Sequence, residues 1–283
     1  MKKVFILSLL ASFTLAACQG QEPTTAGQTS QSDQLAASQA TSSPKIDLTS
    51  ISEGSLTLAD VSDKNGQPLT EKEILALIAA LPASASLDDP DLELVNPEIP
   101  IADDQLGQLA YTEMGHLYDG RITGPYQELL AGAWADGHDL VAISAYRSNA
   151  QQAANIDSRV NSYLASGYSY DEAVAATAAY VAPAGYSEHA TGLAFDLFDR
   201  AWVAAGNDLL VSYEQEPSAQ WLAANAQDYG FILRFLPNKE GLTHINYEPW
   251  HFRYVGLDHA QFMAQHGLTL EEYRLLIQGR DAL

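Results

Sequence analysis

The chain has 283 residues, 47% of them hydrophobic, and its 36 acidic residues outnumber 14 lysines and arginines to give a formal net charge of −22. This length and apolar fraction are sufficient for one sizeable folded domain with a smaller appendage. The negative charge excludes nucleic acid and anionic lipid headgroups as favoured partners, because like charges repel.

An export signal is predicted over residues 1–17. Lys2 and Lys3 precede an apolar run at 4–15 that is too short for a permanent membrane-spanning helix. The run ends in the letters LAAC, which resemble a bacterial lipoprotein processing box. Cys18 is the only cysteine in the chain, so it has no partner for an internal disulfide. We therefore expect Cys18 to carry a lipid that anchors an extracytoplasmic protein to the cell membrane; a soluble secreted protein with an incidental cysteine is the alternative.

Two segments of different composition precede the main domain. Residues 18–51 consist largely of Gln, Ser, Thr and Ala, so they bury too little apolar surface to offset the loss of chain entropy and are predicted to form a disordered tether. Residues 52–105 are predicted to be a small, weakly structured lead-in, because stretches rich in Gly, Pro and Asp flank one helical pattern over 71–81. The main domain occupies residues 106–283.

The main domain alternates helical patterns with short apolar runs. Ser148 and Ser169 are suited to cap two of the helices. Clustered helices with a few short, partly antiparallel strands favour an α+β domain. Helices are predicted over 125–136, 148–165, 171–180, 218–228, 259–266 and 270–278, and strands over 140–143, 193–197 and 231–235.

Two stretches supply zinc-type ligands, SEHATGLAFD at 187–196 and EPWHFRY at 248–254. His189 and His251 offer imidazole nitrogens, and Asp196 offers a carboxylate. Two histidines and one carboxylate leave a fourth tetrahedral position for water, which is the composition of a hydrolytic zinc site. Each residue alone also has an ordinary interpretation, as a surface or core histidine or as an aspartate at the end of a strand.

Hydrolysis of a peptide bond also needs a general base. Glu248 lies three residues before His251, and Pro249 between them disfavours a helical backbone at Glu248, so both side chains can face one metal ion. Gly192 permits a turn that brings the carboxylate of Asp196 back toward the first histidine. Glu248 is therefore the candidate base of a Zn²⁺ site.

The same two stretches resemble the signatures of a known family. SEHATGLAFD is similar to the S-x-H-x-x-G-x-A-x-D signature of the D-alanyl-D-alanine carboxypeptidase family, and EPWHFRYVG is similar to its second signature. The resemblance covers residues 111–268. It implies a small antiparallel sheet flanked by helices around a zinc site, as in the wider group that includes lysostaphin-type endopeptidases and the hedgehog signalling domain. It also implies that His189, Asp196 and His251 bind zinc and that Glu248 is the catalytic base.

A third segment, SAYRSNAQQ at 144–152, is similar to the S-x-Y-R-S-x-x-x-Q stretch of the same family. The resemblance implies that Arg147 and Gln152 hold the C-terminal part of the substrate and that Ser187 donates a hydrogen bond to the same end. An exopeptidase must recognise a free carboxylate, and a guanidinium does so with paired, charge-assisted hydrogen bonds. The alternative for Arg147 is neutralisation of a neighbouring acidic residue.

One position departs from the family pattern. Family members often carry Thr-Gly-Ile shortly before the second signature, whereas this chain has Thr-His-Ile with His244 at the centre. His244 has three alternative roles: a residue of the site wall, a competing metal ligand or a pH sensor.

The resemblance implies a zinc carboxypeptidase that removes the C-terminal D-alanine from peptidoglycan stem peptides during cell-wall maturation. The motifs fit a D,D-carboxypeptidase that acts on pentapeptides and an L,D-carboxypeptidase that acts on tetrapeptides. One alternative is a peptidoglycan endopeptidase on the same scaffold, which Arg147 disfavours because an endopeptidase needs no carboxylate clamp. The other is a non-catalytic, zinc-containing wall-binding lipoprotein, which Glu248 disfavours because a structural zinc site needs no base.

Overall fold

The computed structural model describes residues 46–101 and 106–283. The predicted export signal, the predicted lipidation of Cys18 and residues 18–45 of the predicted tether lie outside the described residues. Within the two described ranges, none of the helices combines the length and the apolar composition that a membrane crossing requires.

The described residues contain nine α-helices and eight short strands. The helices are α1 (Glu71–Ala80), α2 (Thr123–Ala135), α3 (Asn149–Ala165), α4 (Tyr170–Ala178), α5 (Arg200–Ala204), α6 (Pro217–Asn225), α7 (Glu240–Thr243), α8 (Leu257–His266) and α9 (Leu270–Asp281). The strands are β1 (Ser52–Glu53), β2 (Leu56–Thr57), β3 (Leu109–Tyr111), β4 (Leu117–Asp119), β5 (Leu140–Ser144), β6 (Ala194–Asp199), β7 (Phe231–Leu233) and β8 (His251–Tyr254).

A four-stranded antiparallel sheet forms the centre of the main domain. Its strands lie in the order β5-β6-β8-β7, and each neighbouring pair is antiparallel. The two hairpins β1-β2 and β3-β4 are separate from it. This arrangement confirms the predicted α+β fold with a small antiparallel sheet flanked by helices.

Strand β6 is buried over almost its whole length, although it contains Asp196. Its first five residues, from Ala194 to Phe198, are all buried. The ring of Phe195 stacks on that of Tyr126 in α2, with the two centroids 4.6 Å apart, and this core is completed by apolar residues of α2, α6 and the neighbouring strands. Burial on both faces of β6 therefore places Asp196 inside the protein.

The lead-in packs into a second core with the last two helices. Leu58, Ile74 and Ile78 lie in one cluster with Tyr273 and Leu276 of α9, and all five are at most 5% exposed. Helix α1 confirms the helical pattern predicted over 71–81. The described part of the lead-in, residues 52–101, is therefore packed against this core, whereas its composition predicts a weakly structured segment.

The packed part of the chain begins before residue 52. Ile51 is 9% exposed within the second core, and Ile46 and Leu48 are partly buried against it. These three aliphatic residues lie in the last part of the segment that composition assigns to the tether, and they provide apolar surface that the Gln- and Ser-rich residues before them lack.

The predicted caps are confirmed at α3 and α4. The Ser148 hydroxyl accepts a hydrogen bond from the N–H of Gln151, and the Ser169 hydroxyl accepts one from the N–H of Glu172. The predicted strand at 231–235 is shorter in the structure, where β7 ends at Leu233. Strand β8 and the β3-β4 hairpin were not predicted from the sequence.

Candidate metal centre

Three buried side chains with metal-ligating atoms converge beside the central sheet. One ligand atom from each of His189, Asp196 and His251 lies within 4.8 Å of the other two. The Nε2 atom of His189 is 3.4 Å from Oδ2 of Asp196, and the Nδ1 atom of His251 is 3.1 Å from Oδ1 of the same carboxylate. The three residues are 3–5% exposed. The convergence that the sequence predicts for these residues is therefore present.

A tight turn connects the first two of these residues. His189 lies in a 3₁₀ turn over Glu188–Thr191, and Gly192 ends the turn with a φ of 70°. A Cβ atom on Gly192 would lie 2.8 Å from Cδ2 of Leu106 and 2.9 Å from the backbone nitrogen of Asp119. Glycine is therefore required at this position both for the left-handed backbone and for the close approach of the neighbouring chain.

Strand pairing brings the third residue to the other two. Asp196 in β6 and His251 in β8 are directly opposite each other in the antiparallel register. Side chains that are directly opposite on one face of a sheet lie within contact distance. The central sheet thus closes a separation of 55 residues in sequence.

Both imidazoles are oriented by hydrogen bonds at the ring nitrogen that points away from Asp196. The Nδ1 atom of His189 lies 2.6 Å from the carbonyl oxygen of Ala145, which can only accept, so Nδ1 donates and Nε2 keeps its lone pair. The Nε2 atom of His251 lies 3.3 Å from Oε2 of Glu188, which leaves Nδ1 to face Asp196. Each imidazole is therefore held by an acceptor on the side away from Asp196. The two imidazole nitrogens and the carboxylate form a donor set that fits Zn²⁺.

The charges around the site favour an ionised carboxylate. Burial works against ionisation of Asp196, but His189 and His251 hold the pKa of this carboxyl well below its usual range. Burial lowers the pKa of His189, and the positive charge of Arg147 lowers it further. Burial also works against the charged form of His251, yet its hydrogen bonds to Asp196 and Glu188 raise its pKa to about 9. Ionised Asp196 and neutral His189 are the forms that ligate a metal.

Glu248 lies beside this group. Its Oε2 atom is 3.8 Å from Nδ1 of His251, and the residue is 5% exposed. The backbone N–H of His251 donates to the backbone carbonyl of Glu248 at 3.2 Å, so the chain turns through Pro249 as predicted. Burial raises the pKa of Glu248 to about 8 in the absence of a metal, although the attraction of His251 opposes the rise. A bound cation would lower this pKa, because positive charge stabilises the carboxylate.

Arg147 lies on the other side of the ligand group. Its side chain is 18% exposed, and its Nη2 atom is 3.9 Å from Oδ2 of Asp196. Nη1 donates to Oε1 of Gln152 at 2.8 Å, and Nη2 donates to the hydroxyl of Ser144 at 3.3 Å. Gln152 is 1% exposed and donates its own amide N–H to the carbonyl of Ala182. The amide of Gln152 is thus engaged in holding the guanidinium.

The predicted site residues line one cavity of about 360 Å³. Ser187, which is 6% exposed, lies in the cavity wall with the three ligand-type residues, Glu248, Arg147 and Gln152. The wall also includes Arg159, the aromatic residues Tyr163, Tyr180, Tyr186 and Trp250, and residues 95–97 of the lead-in. The lead-in therefore contributes directly to the shape of this cavity.

His244 lies outside this wall. It ends α7 in the left-handed conformation, with a φ of 59°, and its Nε2 atom is 3.4 Å from Oε1 of Glu98. Glycine adopts this backbone conformation freely, which gives a physical reason for the glycine in the Thr-Gly-Ile pattern that the resemblance implies. The imidazole of His244 faces the lead-in and not the ligand group.

Sequence reasoning did not identify the importance of Glu188. This residue stands inside the first signature, next to His189, and its carboxylate contacts His251 and two buried arginines, Arg234 and Arg253. The only sign of its role in the sequence is that this charged residue lies between two predicted site residues, Ser187 and His189. Its partners lie 46 to 65 residues away in sequence, so spacing alone could not assign them.

A family model described as D-alanyl-D-alanine carboxypeptidase, VanY, matches residues 116–257. A D-alanyl-D-alanine carboxypeptidase from Enterococcus faecalis is 36% identical over 182 residues, which are 64% of this chain and 65% of that protein. A putative carboxypeptidase, YodJ, from Bacillus subtilis is 34% identical over 205 residues, which are 71% of this chain and 67% of the relative. The chain thus spans about two thirds of the length of these relatives.

Solved structures that are similar to this chain include three with TM-scores above 0.5. A vancomycin-resistance D,D-pentapeptidase, VanY, in complex with Zn(II) has a TM-score of 0.58 and 36% identity, covering 66% of this chain and 99% of the other. VanYB in complex with D-Alanine-D-Alanine has a TM-score of 0.57 and 35% identity, covering 65% and 97%. The LD-carboxypeptidase LdcB has a TM-score of 0.55 and 30% identity, covering 66% and 87%.

Proposed function

Because this chain belongs to the D-alanyl-D-alanine carboxypeptidase family, we propose that it is a zinc-dependent carboxypeptidase that removes the C-terminal D-alanine from peptidoglycan stem peptides. The observation that carries the proposal is that one cavity holds a His-Asp-His donor set, a buried carboxyl and a guanidinium. Solved relatives in complex with Zn(II) and with D-Alanine-D-Alanine support the metal and the substrate class.

The zinc ligands in this proposal are His189, Asp196 and His251. Zinc bound there would act as a Lewis acid that polarises the scissile carbonyl and acidifies water. The protein fixes the donor atoms before the metal arrives, because strand register and the two imidazole hydrogen bonds hold them in place. Such preorganisation lowers the cost of assembling the site.

Glu248 is the general base in this proposal. Its carboxylate takes a proton from the attacking water and later gives it to the leaving amine. Two features of the structure suit it to this exchange: it lies 3.8 Å from His251, and burial increases its affinity for a proton. An acid–base group whose pKa lies near the working pH both accepts and releases protons readily.

Arg147 recognises the C-terminal carboxylate of the substrate. Two of its N–H groups are used by Gln152 and Ser144, and the others remain for a carboxylate in the cavity. Gln152 acts through Arg147 in this proposal, since its amide oxygen accepts from the guanidinium. The Ser187 hydroxyl, in the wall of the same cavity, donates to the same end of the substrate.

The test is product analysis with two defined muropeptides, one pentapeptide and one tetrapeptide. The zinc-loaded protein is expected to release D-alanine from at least one of them, and the preferred peptide identifies a D,D- or an L,D-carboxypeptidase. Solved relatives of both kinds, the D,D-pentapeptidase VanY and the LD-carboxypeptidase LdcB, are similar to this chain. Absence of D-alanine release from both peptides would overturn the proposal, and equal cleavage of peptides with a blocked C-terminus would favour an endopeptidase.

We also propose that Cys18 carries a lipid that holds the protein at the outer face of the cell membrane. The position of Cys18 after a short apolar run and two alanines supports this assignment. Mass spectrometry of the membrane fraction is expected to find the N-terminal residue as lipidated Cys18, and a Cys18→Ser variant is expected in the soluble fraction. Recovery of both proteins in the soluble fraction would contradict the anchor.

A further inference from the structure

A buried carboxylate lies directly behind the third ligand-type residue. The Oε2 atom of Glu188 is 3.3 Å from Nε2 of His251, and both side chains are at most 4% exposed. The opposite ring nitrogen, Nδ1, faces Asp196. An imidazole that ligates a metal through Nδ1 must carry its proton on Nε2, and the Glu188 carboxylate lies at this position as the acceptor.

The other oxygen of this carboxylate is held by two cations. Oε1 of Glu188 accepts from Nε of Arg234 at 2.7 Å and from Nη1 of Arg253 at 3.1 Å. Both arginine side chains are 0% exposed. One oxygen of Glu188 is thus anchored and the other is turned toward the imidazole, so the orientation of the carboxylate is fixed independently of His251.

Arg234 extends this network to the C-terminal helix. Its two terminal nitrogens donate to both carboxylate oxygens of Glu271 in α9, at 2.9 and 2.7 Å. Glu271 also accepts from the side-chain amide of Asn96 at 3.1 Å. Arg234 and Arg253 balance the charges of Glu188 and Glu271, so the network is neutral without a contribution from His251.

Arg253 extends the network to the lead-in. Its Nη2 atom donates to the carbonyl oxygens of Asp91 and Glu93, at 3.0 and 2.9 Å. These two carbonyls fix the side of the guanidinium that faces away from Glu188. Residues of the lead-in, outside the matched region at 116–257, therefore support the carboxylate that contacts the candidate ligand.

We propose that Glu188 is a positioning residue for the metal site, which holds His251 with Nδ1 directed at the metal and is itself held by the two arginines. This inference rests on the proposed role of His251 as a metal ligand. A cluster that served only to stabilise the fold would be complete with two carboxylates and two guanidiniums. Glu188 makes a further contact to the imidazole, and loss of such a contact typically weakens metal binding by about 10- to 100-fold.

The experiment compares Glu188→Gln with Glu271→Gln in the chain without its export signal. Both variants remove one negative charge from the same cluster, but only the first removes the carboxylate behind His251. Zinc affinity is measured by competition with a chromophoric chelator, and the absorption spectrum of the Co(II)-loaded protein reports the geometry of the ligands. Both variants are expected to unfold at a lower temperature than the parent. Only Glu188→Gln is expected to lose about 10- to 100-fold in zinc affinity and to shift the Co(II) spectrum.

Equal zinc affinities and spectra in the two variants would overturn the inference. Glu188→Asp provides a second test if Glu188→Gln does not fold, because it keeps a negative charge for the arginines while withdrawing the carboxylate from His251. Its zinc affinity is expected to fall in the same direction, and an unchanged affinity would also overturn the inference. His251→Ala separates this outcome from failure of the proposed function: zinc affinity equal to the parent in His251→Ala would refute the metal site itself.

Discussion

Asp196 and His251 lie directly opposite each other on two antiparallel strands, with Oδ1 of the carboxylate 3.1 Å from Nδ1 of the imidazole. The spacing of these two candidate ligands is therefore a property of the register between β6 and β8. A slip of one residue would turn one of the two side chains to the opposite face of the sheet. The hydrophobic residues that fix this register, among them Phe195 and Phe252, thus also fix the geometry of the metal site.

Replacement of Glu248 by glutamine is expected to lower kcat by about 10²- to 10⁴-fold without loss of zinc, because glutamine keeps the shape of the side chain but does not carry a transferable proton. D-alanine release and the zinc content of the purified protein are measured together. Glu128→Gln, an exposed substitution on α2, is the matched control and is expected to behave like the parent. Full activity of Glu248→Gln would exclude Glu248 as the base, and loss of its zinc would indicate a role in metal binding instead.

Replacement of Arg147 by alanine is expected to abolish the preference for a free C-terminus. Hydrogen bonds to a charged group contribute about 1.5–3 kcal/mol. The kcat/KM of Arg147→Ala for the free acid is therefore expected to fall by about 10- to 100-fold. The measurement compares one peptide as its free acid and as its C-terminal amide, with the parent and with Arg147→Ala. Arg200→Ala, which removes an exposed arginine paired with Asp139, is the control. If Arg147→Ala still favours the free acid by the same factor, another residue recognises the carboxylate.

Two glycine substitutions are expected to separate backbone strain from crowding at the turn before β6. Gly192 and Gly206 both have a positive φ, of 70° and 77°, but a Cβ on Gly206 meets nothing within 4 Å. Gly206→Ala is therefore expected to cost only the left-handed strain, about 1–2 kcal/mol. Gly192→Ala is expected to lose about 1–3 kcal/mol more, because its Cβ collides with Leu106 and with the backbone of Asp119.

Urea denaturation of the metal-free proteins gives both free energies of unfolding, and chelator competition gives the zinc affinities. Because Gly192 lies between two candidate ligands, its substitution is also expected to weaken zinc binding, whereas Gly206→Ala leaves it unchanged. Equal losses of stability in the two variants would mean that the chain near Gly192 relaxes and that crowding is not what requires a glycine there.

The identities of the candidate ligands could be predicted because the chemistry of zinc restricts them to a few residue types. The strand that carries His251 could not be predicted, because HFRY is a four-residue segment in which two of the buried residues are polar, so it shows no alternation of apolar and polar positions. Burial of Arg253 and Arg234 is equally invisible in the sequence. Charged residues are buried only when a partner compensates them, and these partners come from distant segments.

Composition was misleading for the lead-in for a related reason. Gly, Pro and Asp are typical of both turns and disordered chain, and only the tertiary contacts of Leu58, Ile74 and Ile78 with α9 distinguish the two cases. The lead-in then supplies part of the cavity wall and two carbonyl acceptors for Arg253. No local pattern in residues 52–105 indicates a role beside candidate ligands of which the first, His189, lies more than eighty residues later in the sequence.

A buried ion pair between Lys239 and Glu272 of α9 also binds Ser62 of the lead-in. The Nζ atom of Lys239 donates to both carboxylate oxygens of Glu272 at 2.7 and 2.9 Å and to the hydroxyl of Ser62 at 2.8 Å. Lys239→Met leaves the carboxylate of Glu272 buried without a cation, so it is expected to destabilise the protein by about 3–5 kcal/mol. A second substitution, Glu272→Gln, removes that charge and is expected to restore part of the loss, which a double-mutant cycle in urea measures.

The shape of the same unfolding curves tests whether the lead-in is part of the domain. Ser62 accepts from Lys239 through both its hydroxyl and its carbonyl oxygen, and the apolar core is shared across the same boundary. Lys239→Met is therefore expected to shift one cooperative transition, as seen equally by tryptophan fluorescence and by circular dichroism. Arg200→Met, at an exposed ion pair, is expected to change stability by about 1 kcal/mol or less. A second, earlier transition in Lys239→Met would mean that the lead-in unfolds independently of the main domain. Unfolding of the lead-in would then open the cavity wall at residues 95–97 while the central sheet stayed folded.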